Sequence, residues 1–86
     1  RAQVDYRLLG DVLRFDADSS GRVVLETQWG VVASDSDKWQ VSPHRASYEA
    51  QTQSPGDPAA VALTMNEVLA KFSRDIASKM QIVLQE

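Results

Sequence analysis

Residues 22–32 read RVVLETQWGVV, and this run decides the fold. Val23, Leu25, Thr27, Trp29 and Val31 alternate with Val24, Glu26, Gln28, Gly30 and Val32. Side chains of an extended chain point to opposite faces in turn, so the first set forms one nearly continuous apolar face. The second set is polar apart from Val24 and Val32. That pattern suits a strand with one face on a core and one mostly in water. Trp29, at alternating spacing within the run, is assigned to the core, where strand aromatics usually pack.

Working outward toward the N-terminus, Asp16-Ala17-Asp18-Ser19-Ser20-Gly21 is dense in turn formers and reads as a hairpin loop. Before it, residues 4–15 have strand character. Val4, Tyr6 and Leu8 share one face, and Leu9, Leu13 and Phe15 the other. The phase changes around Leu8-Leu9-Gly10, which predicts a bulge or bend at Gly10.

Toward the C-terminus, residues 34–38 (SDSDK) form the next turn. A weaker strand follows, interrupted by Pro43, which has no N–H to give a ladder and belongs at an edge or strand end. Ala46, Tyr48 and Ala50 alternate beyond it, placing a third strand at about residues 45–51 with Trp39–Val41 as a candidate first piece. Trp39, beside a loop, stays open between packing and ligand contact.

Asp57-Pro58 announces a helix, with Asp as N-cap and Pro at the first helical position. The helix is expected over about residues 58–84. Val61, Met65, Val68, Leu69, Phe72, Ile76, Met80 and Val83 fall within a stripe of about 120°, wide enough to cover a sheet. Lys79 intrudes, but its stem can lie on apolar surface while the ammonium reaches water. On the opposite side Leu63, Ala70, Ala77 and Leu84 recur every seventh residue. Two readings stand for this row: plain helix propensity, or a surface that meets a partner. The fold class is therefore α+β. An antiparallel three-stranded sheet is followed by one long C-terminal helix packed on one face.

Size and charge narrow the function. The chain has 86 residues, 43% hydrophobic and 24% charged, an ordinary globular composition for one small domain with a marginal core. Its net charge of −3 gives no electrostatic grip on nucleic acid or an anionic membrane surface. The helix balances Lys71, Arg74 and Lys79 against Glu67, Asp75 and Glu86, unlike a basic membrane-surface helix. There is no cysteine, which removes thiolate chemistry and Cys-type zinc sites. No apolar run approaches the ~18 residues of a membrane span. The chain opens on Arg1 and reads as a processed or excised piece of something longer.

The candidates for chemistry are few. Asp16, Asp18 and Ser20 followed by Gly21 reproduce the first ligand positions and turn glycine of an EF-hand loop. Position twelve is Thr27 rather than Glu, and the flanks are strands. A calcium-dependent binding module is the alternative reading this loop carries. His44 is the single histidine, with no Gly-x-Ser-x-Gly elbow to accompany it. Asp35 and Asp37 lie in a Ser-rich turn with no apolar surroundings to separate two pKa values, as acid–base catalysis requires. The four glycines, at 10, 21, 30 and 56, are isolated and form no phosphate loop. No cofactor and no catalytic residue is assigned.

The run from Tyr6 to Asp16, then Gly21-Arg22-Val23-Val24-Leu25 and Trp29, resembles the PqiC-type family of ABC-type transport auxiliary lipoproteins. The later order is similar as well: Tyr48, then Asp57-Pro58-Ala59-Ala60-Val61, then the amphipathic helix with Leu69, Phe72, Ile76 and Ala77. The resemblance covers nearly the whole chain but only about the C-terminal half of a typical family domain. It implies a layered α/β domain like the N-terminal domain of TolB. It also implies a non-enzymatic periplasmic subunit, tethered to the outer membrane by a lipidated cysteine. Such a subunit works with a membrane protein carrying lipid-binding MCE domains, in lipid transport and envelope integrity. The cysteine and the N-terminal half of that pattern are not among these 86 residues, so any anchor would lie outside them.

A consequence follows from the element count. Three strands and one helix leave a sheet edge unpaired, and leave Leu9, Leu13, Phe15, Val24 and Val32 on an uncovered face. A homo-oligomer, or a second chain covering that face, is expected.

Overall fold

A computed structural model describes residues 5–35 and 38–84. Three strands, β1 (Tyr6–Ala17), β2 (Arg22–Ala33) and β3 (Trp39–Gln51), precede one helix, α1 (Pro58–Leu84). The sheet is antiparallel in the order β1-β2-β3, so the run read first from the sequence is its central strand. Asp37 of the second predicted turn lies outside the described residues.

The β1–β2 loop folds around Asp18. Its carboxylate accepts from the Ser20 N–H at 2.9 Å, the Ser20 hydroxyl at 2.6 Å and the Arg22 N–H at 3.1 Å. Gly21 takes φ +89°, a left-handed conformation that glycine adopts without strain. A Cβ there would also meet Thr52. At the other end of the chain Asp57 Oδ1 accepts from the Ala59 N–H at 3.0 Å, the N-cap that the Asp-Pro pair predicts.

α1 lies on β3 and β2. Val23 and Leu25, together with Tyr48 and Val68, form the buried centre, with Phe15, Ala46, Ala50, Met65 and Phe72 packed around it. Trp29 is 1% exposed and meets Phe72 edge-on at 6.3 Å between ring centroids. Tyr48 meets the same ring at 5.4 Å.

Five expectations change. The irregularity in β1 falls between Val12 and Arg14, not at Gly10, which pairs regularly with Trp29. The shift at Leu13 carries Phe15 onto the helix side, opposite Leu25. Phe15 therefore belongs to the core and not to the open face. β3 begins at Trp39, because the strand continues through Pro43 across two register shifts against β2. Bulges are where a ladder tolerates a residue with no donor.

Finally, Val24 and Val32 are 4% and 5% exposed although no layer covers them. Val24 sits between Asp16 and Glu49, with the Arg22–Glu49 and Arg14–Asp16 ion pairs on the same face. Long charged side chains cover apolar surface with their stems. The Trp39 ring shields the other end: a Cβ on Gly30 would stand 2.9 Å from Trp39 Cζ3.

The helix stripe is also rotated. Thr64 is buried and Asp75 half-buried on the sheet side, whereas Leu69 remains 40% exposed. Thr64 enters because its hydroxyl is satisfied by the Ala60 carbonyl at 2.9 Å.

Candidate functional site

Polar groups gather at one place under the helix. The Tyr48 hydroxyl donates to Asp75 Oδ2 at 2.5 Å, and Lys79 Nζ donates to Asp75 Oδ1 at 2.8 Å. The same ammonium stands 5.9 Å from the Trp29 ring centroid, a cation–π contact. Trp29 in turn packs on His44, its cross-strand neighbour, at 4.7 Å. His44 Nδ1 lies 3.0 Å from the Ser42 carbonyl, so this nitrogen carries the ring proton. Among the described residues, no hydrogen-bond partner of standard geometry meets the buried His44 Nε2 or Trp29 Nε1.

This cluster joins sheet to helix and is poorly suited to chemistry. Burial, then the bond to Asp75, push the Tyr48 phenol up to about 12, so it stays protonated. The hydrogen bonds from Lys79 and then from Tyr48 hold the Asp75 carboxyl below its ordinary value. Both groups are locked in one protonation state, whereas acid–base catalysis needs a group poised near the working pH. Among the sequence signals, only Lys79 inside the apolar stripe pointed here. An acid four residues before it, Asp75, was the clue to its partner.

The predicted calcium loop is organised around its own backbone. Asp18 accepts three local hydrogen bonds, Ser20 is one of the donors, and Asp16 is paired with Arg14. Among the described residues no group of three or more metal-ligating side chains comes together. His44 packs on Trp29, and its Nδ1 bonds the Ser42 carbonyl rather than a serine hydroxyl.

The apolar surfaces carry more information. Because α1 sits toward β3, the helix-facing side of β1 between Leu8 and Val12 is left bare. Leu8, Gly10 and Val12 form one wall of an open groove whose floor is Thr27 and Trp29 and whose other wall is Phe72. Leu8 and Val12 are 50% and 64% exposed. On the opposite side of the strand Leu9 and Leu13 are also exposed. The heptad row of α1 faces away from the sheet: Leu63 and Leu84 are 67% and 63% exposed, Ala77 is exposed and Ala70 half-buried. No described helix is long and apolar enough to cross a membrane.

The fold is thus a three-stranded sheet with one helix on one face, with bare apolar surfaces and with the polar groups beneath the helix committed to packing. The family of ABC-type transport auxiliary lipoprotein components matches residues 1–77, and the chain belongs to that family. No curated protein matches the chain significantly. Among solved structures, protein XCC0632 from Xanthomonas campestris superposes with a TM-score of 0.80 at 24% identity. The superposition covers 94% of this chain and 48% of that one, so the chain spans about half the length of this structural relative. At that identity the likeness establishes the fold. The Tyr6–Asp16 and Gly21–Trp29 runs that suggested the family from sequence are β1 and β2.

Proposed function

We propose that the chain is part of a non-enzymatic periplasmic accessory subunit of an MCE-type ABC lipid-transport system, working between the inner and outer membranes. It acts by docking to the MCE-domain membrane protein and so supports envelope integrity. Its anchor, in the whole protein, is a lipid attached outside these residues at the outer membrane. Family membership supports the transport role. The observation that carries docking is the row on the back of α1, where Leu63 and Leu84 are about two-thirds exposed at either end of Ala70 and Ala77. These leucines lie away from the sheet and add nothing to the helix–sheet packing. Alanines between them let a partner backbone approach closely.

The test is photo-cross-linking in the native envelope. A cross-linker at Leu63 or Leu84 of the full-length protein is expected to capture the MCE-domain protein, and one at Gln28, exposed on the opposite face of the sheet, to capture it less. Deleting the gene is expected to increase envelope permeability. Equal capture from all three positions, or capture from none, would overturn docking by this row.

A further inference from the structure

Trp39 belongs neither to the core nor to the docking row on α1. Its ring lies on the outer face of the sheet, over Gly30, and stays 46% exposed. Gly30 makes this possible. A Cβ there would stand 2.9 Å from Trp39 Cζ3, so any other residue would lift the ring off the strand. The indole leans on backbone and turns the rest of its surface to water.

The polar residues of the same face fall into two groups. Toward the β1–β2 hairpin, Arg14 pairs with Asp16 and Glu26, and Arg22 pairs with Glu49. Most of these side chains are about half exposed. An apolar layer laid over them would strip charges of water, a penalty that can exceed their mutual attraction. The face is finished for water by its own side chains. Farther along the sheet, Asp11, Gln28 and Arg45 stand in one row across β1, β2 and β3. All three are exposed, and no hydrogen bond or ion pair ties their side chains to another described residue. An acid directly opposite an arginine would stabilise the sheet. Gln28 stands between them instead, and two strand spacings set them about 10 Å apart. The row adjoins the indole: Gly30, beneath the ring, is two residues from Gln28 on the same face, about 7 Å along the strand.

These groups define a ligand. The unlike charges at the ends of the row cancel, so it selects neither an anion nor a cation. Arg45 donates, Asp11 accepts and the Gln28 amide does both, which matches a molecule whose own groups do both. An indole face takes an apolar ring surface. A pyranose with equatorial hydroxyls carries both features, with C–H groups on its flat faces and hydroxyls around its rim. The ring lies on a sheet face and not in a cleft, which suits an extended β-1,4-linked chain better than a curled α-1,4-linked one. We propose that the outer face of the sheet binds a neutral β-1,4-linked saccharide. One pyranose stacks on Trp39, and its rim hydroxyls bond Arg45, Gln28 and Asp11. The site is on the opposite side of the sheet from α1, so its failure leaves the docking proposal standing, and the reverse holds.

The test is a titration of the full-length protein with cellotetraose, and in parallel with maltotetraose, followed by heteronuclear nuclear magnetic resonance. Cellotetraose is expected to shift the Trp39 indole and Gln28 amide signals, with a Kd of about 1 mM, and to leave the Trp29 indole in place. Maltotetraose is expected to bind about fivefold more weakly or less. Arg45→Ala and Gln28→Ala, both at exposed positions, are each expected to weaken binding about three- to tenfold with unchanged thermal melts. Trp39→Ala is expected to abolish binding, while Trp39→Phe, which keeps a ring on Gly30, retains part of it. No shift at about 10 mM cellotetraose, or shifts that Arg45→Ala and Gln28→Ala leave unchanged, would overturn the site. An equal response to maltotetraose would overturn the extended chain as its ligand.

Discussion

The Tyr48 hydroxyl and Asp75 Oδ2, 2.5 Å apart, tie β3 to the inner face of α1. The bond is partly buried, and the same carboxylate holds Lys79. Removing the hydroxyl leaves a charged acceptor with one donor fewer. Tyr48→Phe is expected to cost about 1–2 kcal/mol in urea denaturation at pH 7. The ring contact with Phe72 should survive, so near-ultraviolet dichroism should change little.

The same bond sets an alkaline limit. Burial and Asp75 raise the Tyr48 phenol from 10.0 to about 12. A group whose folded value is raised contributes stability that is complete below its unfolded value and is lost as pH climbs to the folded one. Wild-type stability should therefore fall between pH 10 and 12 in excess of any fall in Tyr48→Phe. Parallel curves for the two proteins across that window would refute the assignment.

Asp75 gives the opposite limb. Lys79 first, and Tyr48 second, depress its carboxyl. A depressed acid contributes stability above its unfolded value, near 4, and loses that contribution as pH falls through the folded value. Asp75→Asn should be less stable than wild type at pH 7, with the gap narrowing as pH falls below about 4. Denaturation midpoints across that range measure it.

Much of this architecture was legible in the sequence because period and turn chemistry act locally. The alternation of Val23 through Val31 named the central strand, and Asp57-Pro58 fixed the helix start. What escaped depends on contacts between elements. Phase counting located the β1 irregularity at Gly10, just after two leucines in sequence, but the pairing with β2 slips three positions later, at Leu13. That slip moves Phe15 into the core. Val24 and Val32 looked uncovered because strand patterning counts layers. It does not see Arg22 from the same strand, or Glu49 and Trp39 from the neighbouring one, folding over the face. Lys79 was visible as an exception in the apolar stripe, whereas its tie through Asp75 to Tyr48, 27 residues before that acid, needed the packed helix.

Gly10 and Gly56 form a matched pair for substitution. A Cβ at Gly10 would stand 2.9 Å from both the Gln28 carbonyl oxygen and Trp29 Cβ, so backbone would have to move. At Gly56 nothing lies within 4 Å. Gly10→Ala is expected to cost about 1–3 kcal/mol, and Gly56→Ala to stay within about 0.5 kcal/mol of wild type. Thermal melts of the two variants side by side are sufficient.

The two tryptophans should report separately on the two faces of the sheet. Trp29 is 1% exposed beneath Phe72 and Lys79, while Trp39 is 46% exposed and lies over Gly30 on the outer face. Trp39→Phe leaves a single buried indole, so its emission should be blue-shifted and resist acrylamide quenching. Unfolding should then shift it strongly to the red. Trp29→Phe leaves the outer indole, whose emission should already be red-shifted and readily quenched in the folded state. It also removes buried aromatic volume and the Lys79 contact. Truncation further to alanine is expected to cost about 3–5 kcal/mol. An 86-residue domain has only about 4–13 kcal/mol in total, so Trp29→Ala should leave a large unfolded fraction at 37 °C. A folded Trp29→Ala protein with an unchanged melting temperature would mean that the helix is held to the sheet elsewhere than at this ring.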